Sequence, residues 1–393
     1  MRSEMVFLLH CAFPRHGAAK TAEVRDAIGA DFDWEFLLAS ASHHGLMPHV
    51  WEACVNRFHD QVPAEIIERL QRIGIAGSVR NHLWAGELFH LLHTFEAAGI
   101  GAVPFKGPVL AEYLYGEPWL REISDLDVIV RRKDVPAAVD LIAQLGYVSL
   151  VELPKPQLPP YIETHTALAF VHTGSSVRID LHWGLSWRVQ PTLFDTEAIW
   201  DRLQTVTLLG RPVPGMCPED LMIALCLHHS KDMWKRLIMV SDVARLAALH
   251  QDIEWPSLLS RADHAGTGIM LRMGLLLALD MCGIEPPAAL QDRTRNGPRI
   301  TGLVEEAKRR LVQAGDIYPN TWDSVIYFLK TMQKRSHQAL FVLHVLAHPG
   351  LEDRVAMPPA GLRSILFRAL RVCRLLKAGL TVLCRRLLGE RRR

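Results

Sequence analysis

Apolar positions along this chain change their period twice. From residue 1 to about 100 they recur at helical spacings, with Phe36, Leu37, Leu38 and Ala41 in one group and Leu83, Leu88, Leu91, Leu92 and Phe95 in a later one. Between them Pro63-Ala64-Glu65 predicts a separate helix start, with proline in the first turn and a carboxylate near the positive end of the dipole. Gly99 is a natural stop for the later helix. Over residues 101–212 the period shortens. Residues 102–105, 126–130 and 147–151 read as strands, with a helix over 135–145 that closes at Gly146. Residues 154–160 contain four prolines and read as a loop. Residues 167–172 and 177–182 flank Thr173-Gly174-Ser175-Ser176, a hairpin signal. From 213 to about 350 the helical period returns. Pro218 opens one helix that runs into His228-His229-Ser230-Lys231, and residues 234–250 form the next, with Asp242 inside. The pattern predicts an α+β chain: a small mixed sheet at 101–212 between helical regions at 1–100 and 213–350, followed by a linker and tail over 351–393.

Candidate chemistry gathers in the mixed segment. Side chains two apart in a strand share a face, so Asp125 and Asp127 are expected to project together while Leu126 and Val128 turn away. Carboxylates held side by side repel unless a cation lies between them, and Mg²⁺ is bound through carboxylate oxygens. Upstream, Lys106-Gly107-Pro108 closes a strand and opens a helix, a place suited to phosphate. On the later strand Asp180 and His182 share a face. Asp180 reads as a third metal ligand, or as an exposed edge residue. His228, His229, Lys231 and Asp242 read as helix surface or core, or as residues that reach the site. His43 and His44 are adjacent on a helix and so do not face each other, which favours a structural role.

Lys106-Gly107, a short helix, Arg121, Ser124-Asp125-Leu126-Asp127 and Ile179-Asp180-Leu181-His182-Trp183 resemble the uncharacterised nucleotidyltransferases of the DNA polymerase β-like superfamily, over roughly residues 40–250. That superfamily sets a glycine-rich strand-to-helix turn before an Asp-x-Asp strand, with a third carboxylate on a later strand. The usual Gly-Gly or Gly-Ser turn is here Lys106-Gly107-Pro108, which leaves fewer backbone donors for phosphate. The resemblance implies the polymerase β-like fold and transfer of a nucleoside monophosphate from a nucleoside triphosphate (NTP), with release of pyrophosphate. It implies Asp125, Asp127 and Asp180 as catalytic ligands of Mg²⁺ or Mn²⁺, and Lys106, Gly107, Ser124 and Arg121 as contacts to the nucleotide. For Arg121, pairing with Glu122 or Asp125 is an equal alternative. The acceptor class stays open among sugar, peptide, protein and small molecule. Two other readings also stand: a non-catalytic nucleotide-binding or regulatory module, and a membrane-associated partner in a polysaccharide or peptide-tailoring system.

Composition changes this picture in three places. Seven dispersed cysteines without a Cys-x-x-Cys pair argue against a zinc knuckle and suggest reduced thiols, hence a cytoplasmic address. The first ten residues hold too short an apolar stretch for a secretory signal, and charged residues interrupt every candidate membrane span. Residues 362–393 carry ten basic side chains and one acidic, a net of +9 against +2 for the whole chain, so the rest sums to −7. A mildly acidic body argues against general nucleic-acid binding. Leu362, Ile365, Leu366, Leu370, Leu376, Leu380, Leu383 and Leu387 oppose Arg363, Arg371, Arg374 and Arg385. Such a helix suits an anionic membrane surface, at the inner face for a cytoplasmic protein, or packs on the acidic body.

Overall fold

The structure, a computed structural model, describes residues 2–13, 18–29, 31–185, 194–283, 297–312 and 321–347. The linker and amphipathic tail expected over 351–393 lie outside the described residues. The chain opens with α1 (Ser3–Ala12), α2 (Ala18–Ala27), α3 (Trp34–His44) and α4 (Met47–Glu52). Asp33 caps α3 by accepting from the Phe36 amide, and Gly45 ends it in the left-handed region at φ 70°. Next comes α5 (Ala64–Ala97), a single helix of 34 residues where the sequence pattern predicts two. Gly74 and Gly77 look like a break, yet both stay helical. Gly74 is needed for contact, since a Cβ there would lie 2.7 Å from the Trp51 ring.

The central segment runs β1 (Ala102–Pro104), α6 (Gly107–Tyr115), β2 (Leu126–Val130), α7 (Val135–Gln144), β3 (Tyr147–Ser149), α8 (Leu158–Thr164), β4 (Ala167–His172) and β5 (Arg178–His182). These strands form a mixed sheet in the order β1-β2-β5-β4-β3, with β2 and β5 parallel and the other pairs antiparallel. One face of the sheet, through Val128, Val130, Ile179 and Leu181, packs with Leu88, Leu91 and Phe95 of α5 and Ile142 of α7. Burying apolar surface of this kind contributes about 25 cal/mol per Å².

Two further elements depart from the sequence expectation. The four-proline stretch is helical at its end, because Pro159 and Pro160 occupy the first turn of α8, where a missing N–H leaves nothing unpaired. A second hairpin, β6 (Gln204–Leu208) and β7 (Arg211–Gly215), crosses the boundary expected at 212. Leu209 and Gly210 make its turn with φ 48° and 74°, the paired positive values of a tight hairpin. Pro212 and Pro214 disguise β7, but a two-stranded ribbon has open edges that accept them.

The remaining helices are α9 (Pro218–Lys231), α10 (Leu237–Leu249), α11 (Trp255–Ala265), α12 (Gly268–Cys282), α13 (Gly297–Val312), α14 (Thr321–Thr331) and α15 (Arg335–Ala347). They share one apolar core with the N-terminal helices, in which Phe7 and Leu8 join Leu237, Val240 and Leu271. A Cβ on Gly274 would stand 2.6 Å from Cys226 Sγ and 2.7 Å from Trp234, so α12 crosses α9 at close range. Among the described residues no helix is long and apolar enough to cross a membrane.

The two α5 glycines give a matched test. Gly77 has open space around its Cβ position. Gly77→Ala should stabilise the protein by roughly 0.5–1 kcal/mol through helix propensity. Gly74→Ala should destabilise it by roughly 1–3 kcal/mol, because the Trp51 ring must move. Denaturant melts of both variants check this, and equal stabilisation by the two would contradict the packing described.

Candidate active site

The site begins where β1 hands over to α6. The Phe105 amide donates to the Asp127 carbonyl at 3.0 Å, which carries the strand pairing one residue further. Lys106 then precedes α6 at φ −134° and ψ −140°, outside the helical and strand regions, and Gly107 turns the chain at φ 64° with Pro108 in the first turn. A Cβ on Gly107 would meet only ordinary contacts, 3.5 Å from the Asp125 carbonyl and 3.7 Å from Leu126. Backbone conformation, rather than space, asks for glycine there.

The parallel register of β2 and β5 sets Asp127 opposite Asp180 and Ile129 opposite His182. Alternation along both strands then puts Asp127, Asp180 and His182 on one face, with Val128 and Leu181 buried on the other. Asp125 stands one residue before β2, close enough for the Asp127 and Asp180 charges to act on it. Its carboxylate is hydrogen-bonded by the Ser124 side chain.

Asp127 is the electrostatic centre. It is 3% exposed, and its Oδ1 accepts from His182 Nε2 at 2.9 Å. Its Oδ2 lies 3.5 Å from Lys106 Nζ and has no hydrogen-bond partner although buried. Burial opposes the Asp127 charge, but Lys106 and the bond from His182 outweigh it and hold the carboxyl well below the usual range. The other two carboxylates go the other way. Burial, then the Asp127 charge, pushes Asp125 up to about 6 against the pull of Lys106. Burial and Asp127 also raise Asp180, less strongly opposed by His182.

The arrangement can hold a divalent cation. Asp127, Asp180 and His182 each offer one ligand atom, and these atoms lie within 4.8 Å of one another. The unpartnered Asp127 Oδ2 is the buried oxygen such an ion would satisfy. Two carboxylates suit Mg²⁺ and Mn²⁺ alike. As donor to Asp127, His182 keeps its proton on Nε2 and orients the carboxylate. As a ligand through that atom it would give the proton up.

On the other side, Lys106 Nζ lies 2.8 Å from His228 Nε2 of α9. Burial and the Lys106 charge lower His228 to about 4, so its imidazole is neutral and accepts from the ammonium. With its proton then on Nδ1, the same Nε2 cannot also donate to Asp232, whose Oδ2 is 3.4 Å off.

Arg121 departs from the expected pairing alternative. It pairs with neither the Glu122 nor the Asp125 carboxylate: its guanidinium grips Asp242 of α10 and reaches only the Glu122 carbonyl, at 3.4 Å, while the Glu122 carboxylate binds Arg236 at 3.2 Å. A fully buried carboxylate offering both oxygens outcompetes half-exposed neighbours for a planar fork. His44 is structural, as its Nδ1 accepts from the Leu237 amide at 3.3 Å. Lys231 donates to the Leu185 carbonyl at 3.4 Å. Sequence reasoning left out His182 as a ligand, although its shared face with Asp180 was the available signal. The contact of His228 with Lys106 had no local signal, because 122 residues separate the two.

Residues 30–283 match the profile of a protein family described as "Uncharacterised nucleotidyltransferase". No curated protein and no solved structure matches the chain.

The raised Asp125 gives a pH test. In the metal-free protein Asp125 holds a proton below about 6, and a cation held by the neighbouring Asp127 and Asp180 would favour its loss. Mn²⁺ should therefore raise the melting temperature more at pH 7.5 than at pH 5. Because the native state binds this proton more tightly than the unfolded chain, the Asp125 charge opposes folding above that pH. Metal-free Asp125→Asn should then melt at or above wild type at pH 7.5. Asp127→Asn should melt below it, as Lys106 loses an ionic partner and the bond from His182 loses its charged acceptor. The same order of melting for both variants would contradict the charges assigned here.

Proposed function

The chain belongs to the uncharacterised nucleotidyltransferase family of the polymerase β-like superfamily, and from that premise we propose that it moves a nucleoside monophosphate from an NTP to an acceptor hydroxyl or phosphate. The observation that carries the proposal is the unpartnered, buried Asp127 Oδ2, beside Asp180 on one side and Lys106 at a helix start on the other. A carboxylate cluster facing a lysine and a helix N-terminus suits a polyphosphate and its counter-cation. An acceptor oxygen attacks the α-phosphorus, and a new O–P bond forms as the bond to the α–β bridging oxygen breaks. Pyrophosphate leaves with that oxygen.

Asp125, Asp127 and Asp180 are the proposed ligands of Mg²⁺ or Mn²⁺, with His182 beside them. When bound, the cation neutralises triphosphate charge and makes the acceptor more acidic. Asp180, raised by burial and by Asp127, is assigned the acceptor's proton. Lys106 and the Gly107 amide contact phosphate oxygens. Pro108 contributes no amide, so more of that contact falls on the lysine, which His228 steers through its 2.8 Å hydrogen bond. Ser124 acts on Asp125 by hydrogen bonding to its carboxylate.

Pyrophosphate release, measured with NTP binding for wild type and three variants, tests this assignment. Asp125→Asn and Asp127→Asn should each lower turnover by on the order of 10²–10³-fold or more, the scale of losing one preorganised electrostatic group. Asp180→Asn should retain NTP binding while losing turnover to a similar extent. Turnover that survives in Asp127→Asn would mean the site lies elsewhere. Wild-type protein that binds NTP with Mn²⁺ but releases no pyrophosphate across a broad acceptor panel would support a non-catalytic nucleotide-binding module instead.

A further inference from the structure

Arg121 and Asp242 form a buried, two-armed ion pair that the proposed reaction leaves unused. Asp242 has 0% exposure and Arg121 has 9%. Arg121 Nε donates to Oδ1 at 3.0 Å and Nη2 donates to Oδ2 at 3.0 Å. Tyr115, at the end of α6, adds a hydroxyl bond to Oδ1 at 2.8 Å. His229 Nε2 of α9 lies 3.7 Å from Oδ2.

The pair stands at a telling place in the chain. Residues 116–125 leave α6 and deliver Asp125 to the mouth of β2, with neither helix nor strand of their own. Side chains from outside the segment fix its path. Asn81 of α5 donates to the carbonyls of Pro118 and Arg121, both at 2.9 Å. Arg236, just before α10, reaches Glu122 at 3.2 Å and the His43 carbonyl at 3.0 Å. Asp242 completes the set by fixing the plane of the Arg121 guanidinium, four residues before Asp125.

A buried ion pair rarely stabilises a fold more than apolar groups of the same size would, whereas its two parallel bonds fix orientation. We propose that Asp242 is a positioning residue for nucleotidyl transfer: its clasp on Arg121 sets where Asp125 stands relative to Asp127 and Asp180. The inference rests on the metal-dependent transfer reading given above. It also gives the helices a part in the chemistry. The unit α9–α10 then holds both flanks of the carboxylates, with His228 on Lys106 and Asp242 on the segment that carries Asp125.

Two variants separate positioning from mere packing. Arg121→Met/Asp242→Leu replaces the pair with apolar groups of similar size, and Arg121→Lys keeps the charge but loses the two-armed geometry. Each is measured on folded full-length protein for Mn²⁺ affinity by titration and for pyrophosphate release. The expected result is a melt close to wild type with Mn²⁺ affinity weakened roughly 10–100-fold, as when a partner that orients metal ligands is lost. Turnover should fall at least as far. Wild-type Mn²⁺ affinity in a folded double variant overturns the proposal. Should the double variant fail to fold, Arg121→Lys decides, and unchanged affinity there overturns it equally. Wild-type protein that binds Mn²⁺ yet releases no pyrophosphate contradicts the transfer reading alone, and the Mn²⁺ titrations still decide the clasp.

Discussion

Mutual repulsion among Asp125, Asp127 and Asp180 is the constraint around which this structure is arranged. Pairing β2 with β5 in parallel sets Asp127 directly beside Asp180, and the approach to β2 brings Asp125 within range of both. Water would ordinarily separate such charges, but here burial raises two of the three carboxyls. Only Asp127 is held firmly ionised, by Lys106 and His182. A fold that crowds like charges and leaves a buried carboxylate oxygen without a hydrogen-bond partner offers a candidate place for a cation.

Holding that crowd together takes more than the sheet. The N-terminal and C-terminal helices form one core, so α9 and α10 meet the site as part of a packed wall. From that wall His228 reaches Lys106, and Asp242 reaches Arg121. The sheet sets the spacing of Asp127 and Asp180, α6 brings Lys106 to them, and the helices fix the flanks. Each contribution comes from a different stretch of chain, which is why the site sits at their junction.

Local signals made much of this legible. The apolar alternation through Asp125-Leu126-Asp127 marks β2, Thr173-Gly174-Ser175-Ser176 marks the β4–β5 turn, and Lys106-Gly107-Pro108 marks the start of α6. Each rests on backbone preference or strand period, which neighbouring residues determine. What escaped depends on tertiary contact. The Arg121–Asp242 pair spans 121 residues, and nothing near Arg121 distinguishes Asp242 from Glu122 as its partner. The span of α5 reads as two helices, and the need for Gly74 within it shows only once Trp51 is seen to occupy the space. Pro212 and Pro214 hide β7 because proline depletion in strands is a rule about paired edges, and β7 has an open one.

The most direct test of this account is a crystal structure of the protein soaked with Mn²⁺ and a non-hydrolysable NTP, read by anomalous scattering from the metal. The account predicts an anomalous peak between the carboxylates of Asp127 and Asp180, with Asp125 and the triphosphate at the same ion and Lys106 on the phosphate oxygens. A peak elsewhere on the molecule, or a triphosphate bound away from Lys106 with no ion at Asp127, would contradict it.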